Sequence, residues 1–351
     1  MNAIKISFFD TKSYDKEIFN IVNKNFAFEI KYHKYHLTQE TAVLAKGYDT
    51  VCVFVNDEIN KEVIDQLYEE GIRLIALRCA GYNNVDFKTA YGKVHIVRVP
   101  AYSPYAVAEH TVALMLSLNR KIHRAYFRTR DANFSLHGLM GFDMNKKIAG
   151  IIGTGKIGKV LINILLGFGM KVYGYDVYKD PSLLNKPNFE YVELDKLFAN
   201  SDIISLNCPL TKETEYIINY SSLGKMKDGV MLINTGRGKL IKTTDLVDAL
   251  KSGKVSAAGL DVYEEESEYF FEDRSDAILT DDILARLLTF NNVIVTSHQA
   301  FFTREAMQNI AQTTLQNISD FFNGKSLQNE ICYKCSRGSE NCLRKATGKC
   351  F

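Results

Sequence analysis

The chain has 351 residues, 46% of them apolar and 24% charged, the balance of an ordinary globular protein long enough for two buried cores. A formal net charge of +2 argues against a general nucleic-acid binder; residues 331–351 alone carry five Lys or Arg against one Glu, which leaves the rest at −2. No apolar run approaches the ~20 residues of a membrane span, and Met1 to Asp10 lack the long apolar core and cleavage site of a signal peptide, so a cytoplasmic protein is expected.

In chain order, Ile4–Phe9, Phe26–Tyr32, Val51–Val55, Leu74–Leu77 and Val94–Val99 read as strands separated by helical patterns. That alternation predicts a parallel sheet covered by helices. Ser103 and Pro104 have the chemistry of a helix cap and first helical position. Val107 to Arg130 can then continue as one long helix, an interdomain spacer or dimer contact. Its Val112, Leu114, Met115, Leu116 and Leu118 are read as core packing. A second strand series follows at Ile148–Ile152, Met170–Tyr175, Ile203–Asn207, Val230–Asn234, Ala257–Asp261 and Val293–Thr296, predicting a second doubly wound sheet. The amphipathic stretch Ala306–Phe322 has no third strand series after it, so it is expected to return to the first domain.

The expected fold is therefore α/β, with two doubly wound parallel-sheet domains and a cleft between them. Residues 1–101 and 300–330 form a discontinuous first domain, 102–299 the second, and 331–351 a Cys-rich basic tail, with hinges near Ala101 and Ala300. Of seven cysteines, Cys52, Cys79 and Cys208 lie in or beside apolar strand-like runs and read as buried thiols. No disulfide framework is implied for the body.

The second series opens on Gly153-Thr154-Gly155-Lys156-Ile157-Gly158, between an apolar strand and a helical stretch, and Asp176 closes the next strand. Gly153 permits the tight turn, Gly155 admits a pyrophosphate, and Gly158 lets the helix pack on the sheet. The helix start offers free N–H groups to phosphate. An acid at Asp176 can accept from both ribose hydroxyls and would repel a 2′-phosphate, which favours NAD over NADP. A triphosphate-binding loop is the rival reading, since Gly153 and Gly158-Lys159 have its spacing. Val160 stands where the magnesium-binding hydroxyl would be needed. The plain alternative is a glycine-bearing turn in a parallel sheet.

Polar residues follow three later strands, at the edge where open parallel sheets bind ligands. Arg237 follows Asn234-Thr235-Gly236, Glu266 lies five residues beyond Asp261, and His298 follows Val293–Ser297. A guanidinium can fork a carboxylate, an imidazole can exchange a proton near neutrality, and a carboxylate can hold that imidazole. Singly, each has a bland reading: a surface ion pair, one of three consecutive glutamates, a satisfied loop histidine.

Several segments together resemble the D-isomer-specific 2-hydroxyacid dehydrogenases, from about residue 3 to about residue 330. These are Leu77-Arg78-Cys79-Ala80-Gly81-Tyr82-Asn83-Asn84-Val85-Asp86, Val99-Pro100-Ala101-Tyr102-Ser103-Pro104, Ala108-Glu109-His110, Gly153 to Gly158, Asn234-Thr235-Gly236-Arg237-Gly238, Asp261-Val262-Tyr263-Glu264 and His298-Gln299-Ala300-Phe301. The resemblance implies a flavodoxin-like substrate domain, a Rossmann NAD domain, and reduction of a small 2-keto acid, pyruvate foremost, by NADH. It implies that Arg237 binds the substrate carboxylate and carbonyl, that His298 donates the proton, and that Glu266 pairs with His298. Backbone N–H groups around Ala80 and Gly81 would hold the carboxylate, with Tyr102 lining the same cleft and Phe54 and Phe301 crowding the substrate methyl. Lys156 and Ile157 would lie along the pyrophosphate, Asp176 on the ribose, Cys208, Pro209 and Thr214 on the adenosine side, and Thr235, Gly236 and Asp261 near the nicotinamide. A homodimer or homotetramer is implied, and no metal, nucleic acid or membrane partner.

The resemblance leaves Cys332-x2-Cys335-x6-Cys342-x7-Cys350 unexplained. Four thiolates suffice for a metal or cluster site, but the later spacings lack a second close pair, and a flexible tail without fixed structure is the preferred expectation. Two other functions stay open: a dehydrogenase for a larger 2-keto acid, and a non-catalytic scaffold that senses NAD.

Overall fold

The computed structural model describes residues 3–266, 269–334 and 343–351. The chain divides into two compact units, Met1–Ser103 with Thr303–Phe351, and Pro104–Phe302. The divisions fall at 103/104 and 302/303, against the expected 101/102 and 299/300.

The first unit opens with β1 (Lys5–Phe8), α1 (Ser13–Asn23), β2 (Glu29–Tyr32), β3 (Thr50–Val53), α2 (Lys61–Glu69), β4 (Leu74–Leu77), α3 (Phe87–Ala90) and β5 (His95–Val97). Every residue of β3 and β4 is buried, as in central parallel strands covered on both faces. Helix α2 starts where the Asn60 side chain accepts the Val63 N–H at 3.0 Å, taking up one of the donors a helix start leaves over.

The second unit runs α4 (Pro104–Arg120), α5 (Ile122–Arg130), β6 (Ile148–Ile152), α6 (Lys156–Gly167), β7 (Lys171–Tyr175), β8 (Phe189–Tyr191), α7 (Leu194–Asn200), β9 (Ile203–Leu206), α8 (Tyr220–Lys225), β10 (Val230–Asn234), α9 (Thr243–Ser252), β11 (Val255–Leu260), α10 (Asp282–Thr289) and β12 (Val293–Val295). The chain then re-enters the first unit with α11 (Arg304–Phe322), β13 (Glu330–Ile331) and α12 (Leu343–Thr347).

Among the described residues the first sheet has the order β13-β5-β4-β3-β1-β2, parallel except for β13. Without β13 this is the flavodoxin-like order. The second sheet has the order β12-β11-β10-β9-β6-β7-β8, all parallel. Its strand sequence reverses between β6 and β9, the switch point of a Rossmann sheet and the usual ligand crevice. Helices cover both faces of that sheet. Leu161, Ile162 and Leu165 of α6 pack with Val112, Met115 and Leu118 of α4 in one core cluster, and Leu246 and Leu250 of α9 join a second.

Three expectations need correction. The long helix over Val107–Arg130 is broken at Lys121, whose φ is +51°. The apolar face ends at Leu118, and α5 has no buried residue to hold it in line. Strand β8 was not expected; only three residues long, it pairs outside β7. The tail is the largest difference, because its described residues pack on the first unit. Buried Glu330 meets His95 Nδ1 at 2.5 Å and accepts the Cys350 N–H at 2.6 Å. Arg344 donates to the Gln328 and Glu330 carbonyls at 2.5 and 2.9 Å, and the Phe351 ring stacks on His95 with centroids 4.1 Å apart. Of the four-cysteine reading, Cys335 and Cys342 lie outside the described residues.

Candidate active site

The glycine loop takes the shape that its residues demand. Gly153 has φ +95°, and a Cβ there would stand 2.4 Å from the Cys208 nitrogen. A Cβ on Gly158 would lie 2.0 Å from the Gly153 carbonyl oxygen. A larger residue at Gly153 would push the loop off the chain after β9, and one at Gly158 would push loop and helix apart. Around Gly155 a Cβ would meet nothing within 4 Å, so the backbone is bare there, and α6 begins at the exposed Lys156 with Ile157 half-buried behind it. Open N–H groups at a bare helix start suit a pyrophosphate.

Asp176 is anchored to that loop. Its Oδ2 accepts the Thr154 N–H at 2.7 Å, and its Oδ1 accepts the Tyr178 N–H at 3.0 Å. A half-buried carboxylate held by two backbone donors keeps acceptor capacity for a diol. The Tyr191 hydroxyl, on the unexpected strand, sits 2.9 Å from the Thr154 hydroxyl and accepts the Asp180 N–H at 2.9 Å. Nothing in the sequence marked Tyr191.

Cys208 and Pro209 follow β9 beside the loop, and burial pushes the Cys208 thiol up to about 11, so it is an uncharged wall rather than a nucleophile. The Thr214 hydroxyl closes its own turn, donating to the Pro209 carbonyl at 2.7 Å. Thr235 is buried, with its hydroxyl 2.9 Å from that of Thr111 in α4. The Gly236 N–H donates to Asn234 Oδ1 at 3.0 Å.

Arg237, Glu266 and His298 follow β10, β11 and β12, three neighbouring strands. His298 Nδ1 lies 3.1 Å from Glu266 Oε1, and each side chain is 24% exposed. The pair can hold a proton and still reach a solute. The Arg237 guanidinium is tied on one side, donating from Nη1 to the Gly236 carbonyl at 2.8 Å, while Asn234 donates to the Arg237 carbonyl at 2.9 Å. The Glu266 carboxylate also accepts the Tyr263 N–H at 3.1 Å, which sets its direction toward the imidazole.

Asp261 is fully buried. It accepts from the Thr296 hydroxyl at 2.5 Å and from the N–H groups of Gln299 and Ala300 at 2.9 and 2.8 Å. His110 and Thr296 belong to this network and were given no role by the sequence. His110 stands in the Ala108-Glu109-His110 motif, but the contact spans 186 residues and no local pattern signals it. Phe301 is buried beside the loop.

In the first unit, the loop after β4 carries Ala80 and Gly81, both half-buried. Arg98 donates to the Ala80 carbonyl at 2.7 Å, and the Cys79 thiol donates to the Gly81 carbonyl at 3.3 Å. The Tyr102 carbonyl accepts from Asn309 at 2.8 Å. Phe54 is buried, its ring 4.6 Å from the Arg78 guanidinium carbon. No helix among the described residues is long and apolar enough to cross a membrane.

The family described as D-isomer specific 2-hydroxyacid dehydrogenase, NAD binding domain, matches residues 112–300. The D-lactate dehydrogenase of Escherichia coli strain K12 is 49% identical over 329 residues, covering 93% of this chain and all of that protein. The apo-structure of the Escherichia coli D-lactate dehydrogenase superposes with a TM-score of 0.87 at 47% identity, over 93% of this chain and all of that one. A D-lactate dehydrogenase of Lactobacillus jensenii, solved with NAD+, gives 0.81 at 32% identity, over 93% and 99% of the two chains. A bare glycine loop with its acid, three polar strand ends and these matches lead to one conclusion: the chain belongs to the D-isomer specific 2-hydroxyacid dehydrogenases, and it is an NAD-dependent oxidoreductase.

Proposed function

We propose that the protein is a D-lactate dehydrogenase that works as a pyruvate reductase. The observation that carries this is the 3.1 Å contact of His298 with Glu266, one strand away from Arg237 at the end of the cofactor-binding sheet. When bound, NADH supplies the hydride. Arg237 forks the pyruvate carboxylate and draws charge from the ketone oxygen. With Nδ1 directed at Glu266, His298 presents Nε2 to the reacting oxygen. A carboxylate at Nδ1 fixes which ring nitrogen faces the substrate, and the proton given from Nε2 is replaced from solvent through a side chain that is still partly exposed.

Gly153, Gly155, Lys156, Ile157 and Gly158 hold the pyrophosphate in this reading, and Asp176 the adenosine ribose. Cys208, Pro209 and Thr214 border the adenosine, while Thr235, Gly236 and Asp261 border the nicotinamide. For the first unit, family likeness alone supports backbone donation from Ala80 and Gly81 to the substrate carboxylate and substrate contact by Tyr102. The deciding assay is NADH oxidation with pyruvate, phenylpyruvate and 2-ketoisocaproate, followed by chiral analysis of the product. D-lactate, and a kcat/KM for pyruvate above those of the larger acids, is expected. Preference for a larger acid would replace pyruvate as the substrate, and no turnover at all would favour the NAD-sensing scaffold.

A homo-oligomer formed through the second unit belongs to the same proposal. Ile122, Tyr126 and Phe127 of α5 and Phe134, Leu136 and Met140 just beyond it are all more than half exposed. Large apolar side chains gathered on 19 residues of surface chain suit burial against a second copy.

A further inference from the structure

His298 has a φ of +52°, in the left-handed region. A non-glycine residue there is strained and persists only where its surroundings hold it. What holds it is Asp261. The Asp261 carbonyl accepts the His298 N–H at 2.8 Å. Its carboxylate takes the Thr296 hydroxyl two residues before the histidine and the Gln299 and Ala300 N–H groups after it, at 2.5, 2.9 and 2.8 Å. One buried side chain therefore grips the loop on both sides of His298.

The grip continues into α4. His110 Nε2 lies 3.2 Å from the Thr296 hydroxyl and 3.5 Å from Asp261 Oδ1. A hydroxyl has one hydrogen, and at 2.5 Å that hydrogen is directed at Asp261. The Thr296 oxygen must therefore accept from His110, which puts a proton on Nε2. The next residue, Thr111, meets the hydroxyl of Thr235 at 2.9 Å, two positions before Arg237. One turn of α4 thus braces the strand ends that carry both the arginine and the histidine.

We propose that His110 and Thr296 are positioning residues for the proton donor: through Asp261 they hold His298 in its left-handed conformation, with Nδ1 on Glu266 and Nε2 free. This rests on the reading of His298 as donor. His110 and Thr296 themselves are given no contact with substrate or cofactor, so their loss acts on the chemical step through His298.

The test compares Thr296→Val and His110→Leu, which remove the bridge, with Thr296→Ser and His110→Gln, which keep a hydroxyl and a donor. The apolar variants are expected to lose about tenfold or more in kcat for pyruvate, as loss of an orienting hydrogen bond does. NADH Kd from fluorescence titration stays within about twofold, the conservative variants return to within about threefold of wild type, and His110→Leu combined with Thr296→Val is little worse than either single, because linked residues fail as a unit. The solvent isotope effect on kcat rises in the apolar variants as proton transfer becomes limiting. Wild-type kcat in both apolar variants, a loss seen only in NADH Kd, or conservative variants no better than apolar ones overturns the proposal. If Thr296→Val does not fold, the His110 pair carries the test. His298→Asn separates the two readings. Retained turnover there removes His298 as donor, whereas its collapse beside undisturbed Thr296→Val and His110→Leu removes the network alone.

Discussion

Glu266 lies in a run of three glutamates, Glu264-Glu265-Glu266, and only the fold distinguishes them. Glu264 accepts the Thr243 N–H at 2.8 Å, Glu265 is exposed, and Glu266 alone among the three is bonded to His298. Replacing its carboxylate by an amide removes the charge-assisted hydrogen bond that orients the imidazole. Glu266→Gln should therefore lower kcat for pyruvate reduction by about tenfold or more, with NADH binding unchanged. A wild-type kcat would take Glu266 out of the proton path. For Arg237, the ties to Gly236 and Asn234 leave a planar fork whose two parallel donors an ammonium cannot copy. Arg237→Lys is expected to lower kcat/KM by at least about a hundredfold, with NADH binding unchanged, as steady-state rates and NADH titration would read. Both residues were legible as types at strand ends. The pairing of Glu266 with His298 was legible only through the family resemblance, because a hydrogen bond between positions 32 residues apart leaves no local pattern.

Strand ends in the first unit show how an element sets the charge of its neighbours. Arg78, directly after β4, is 2% exposed. Its Nη2 donates to the Asp10 carbonyl at 2.5 Å and lies 3.4 Å from Asp15, and its guanidinium sits between the rings of Phe8 and Phe54. Asp57, beyond β3, accepts the Leu37 and Phe54 N–H groups at 2.6 Å each. Burial outweighs the nearby Arg78 charge and pushes the Asp57 carboxyl up to about 6 from 3.8. The folded state thus binds this proton more tightly than the unfolded chain. The group favours folding fully below about pH 4, and that contribution, about 3 kcal/mol, is lost as the pH rises to about 6. Arg78→Met strips a buried cation from among carboxylates and should cost about 3–5 kcal/mol at pH 7.5. At pH 5 the loss should be smaller, because Asp57 takes up its proton there. Urea unfolding at the two pH values checks this, and an equal loss at both counts against the account. In the sequence Arg78 read only as part of a motif; its burial follows from strands β1, β3 and β4 ending side by side.

At the scale of the whole molecule, the end of the chain and the apolar patch of the second unit make separate claims. The last residues close over Glu330: without Cys350 and Phe351, a buried carboxylate loses a backbone donor and His95 loses a stacked ring. Removal of residues 343–351 should destabilise the first unit by about 3 kcal/mol, a fall of about 6–12 °C in its Tm for a unit of this size. Differential scanning calorimetry would show it, and an unmoved transition would mean that the tail contributes nothing to stability. For the oligomer, Phe127→Lys with Leu136→Lys should yield a monomer by sedimentation, since two desolvated ammonium groups oppose apolar burial. An unchanged mass would place the interface elsewhere.

Local sequence patterns laid out two mainly parallel sheets, the glycine loop with its acid, and the three polar strand ends. Each of these is written within a few consecutive residues, in strand runs, glycine spacing or the position just after a strand. The tertiary structure alone decided the break at Lys121, the edge strand bearing Tyr191, the folded-back tail, and the Asp261, Thr296 and His110 brace behind His298. All four depend on what a residue meets across the fold, and hydrogen bonds and burial between distant positions are chosen by packing, which no window of sequence contains.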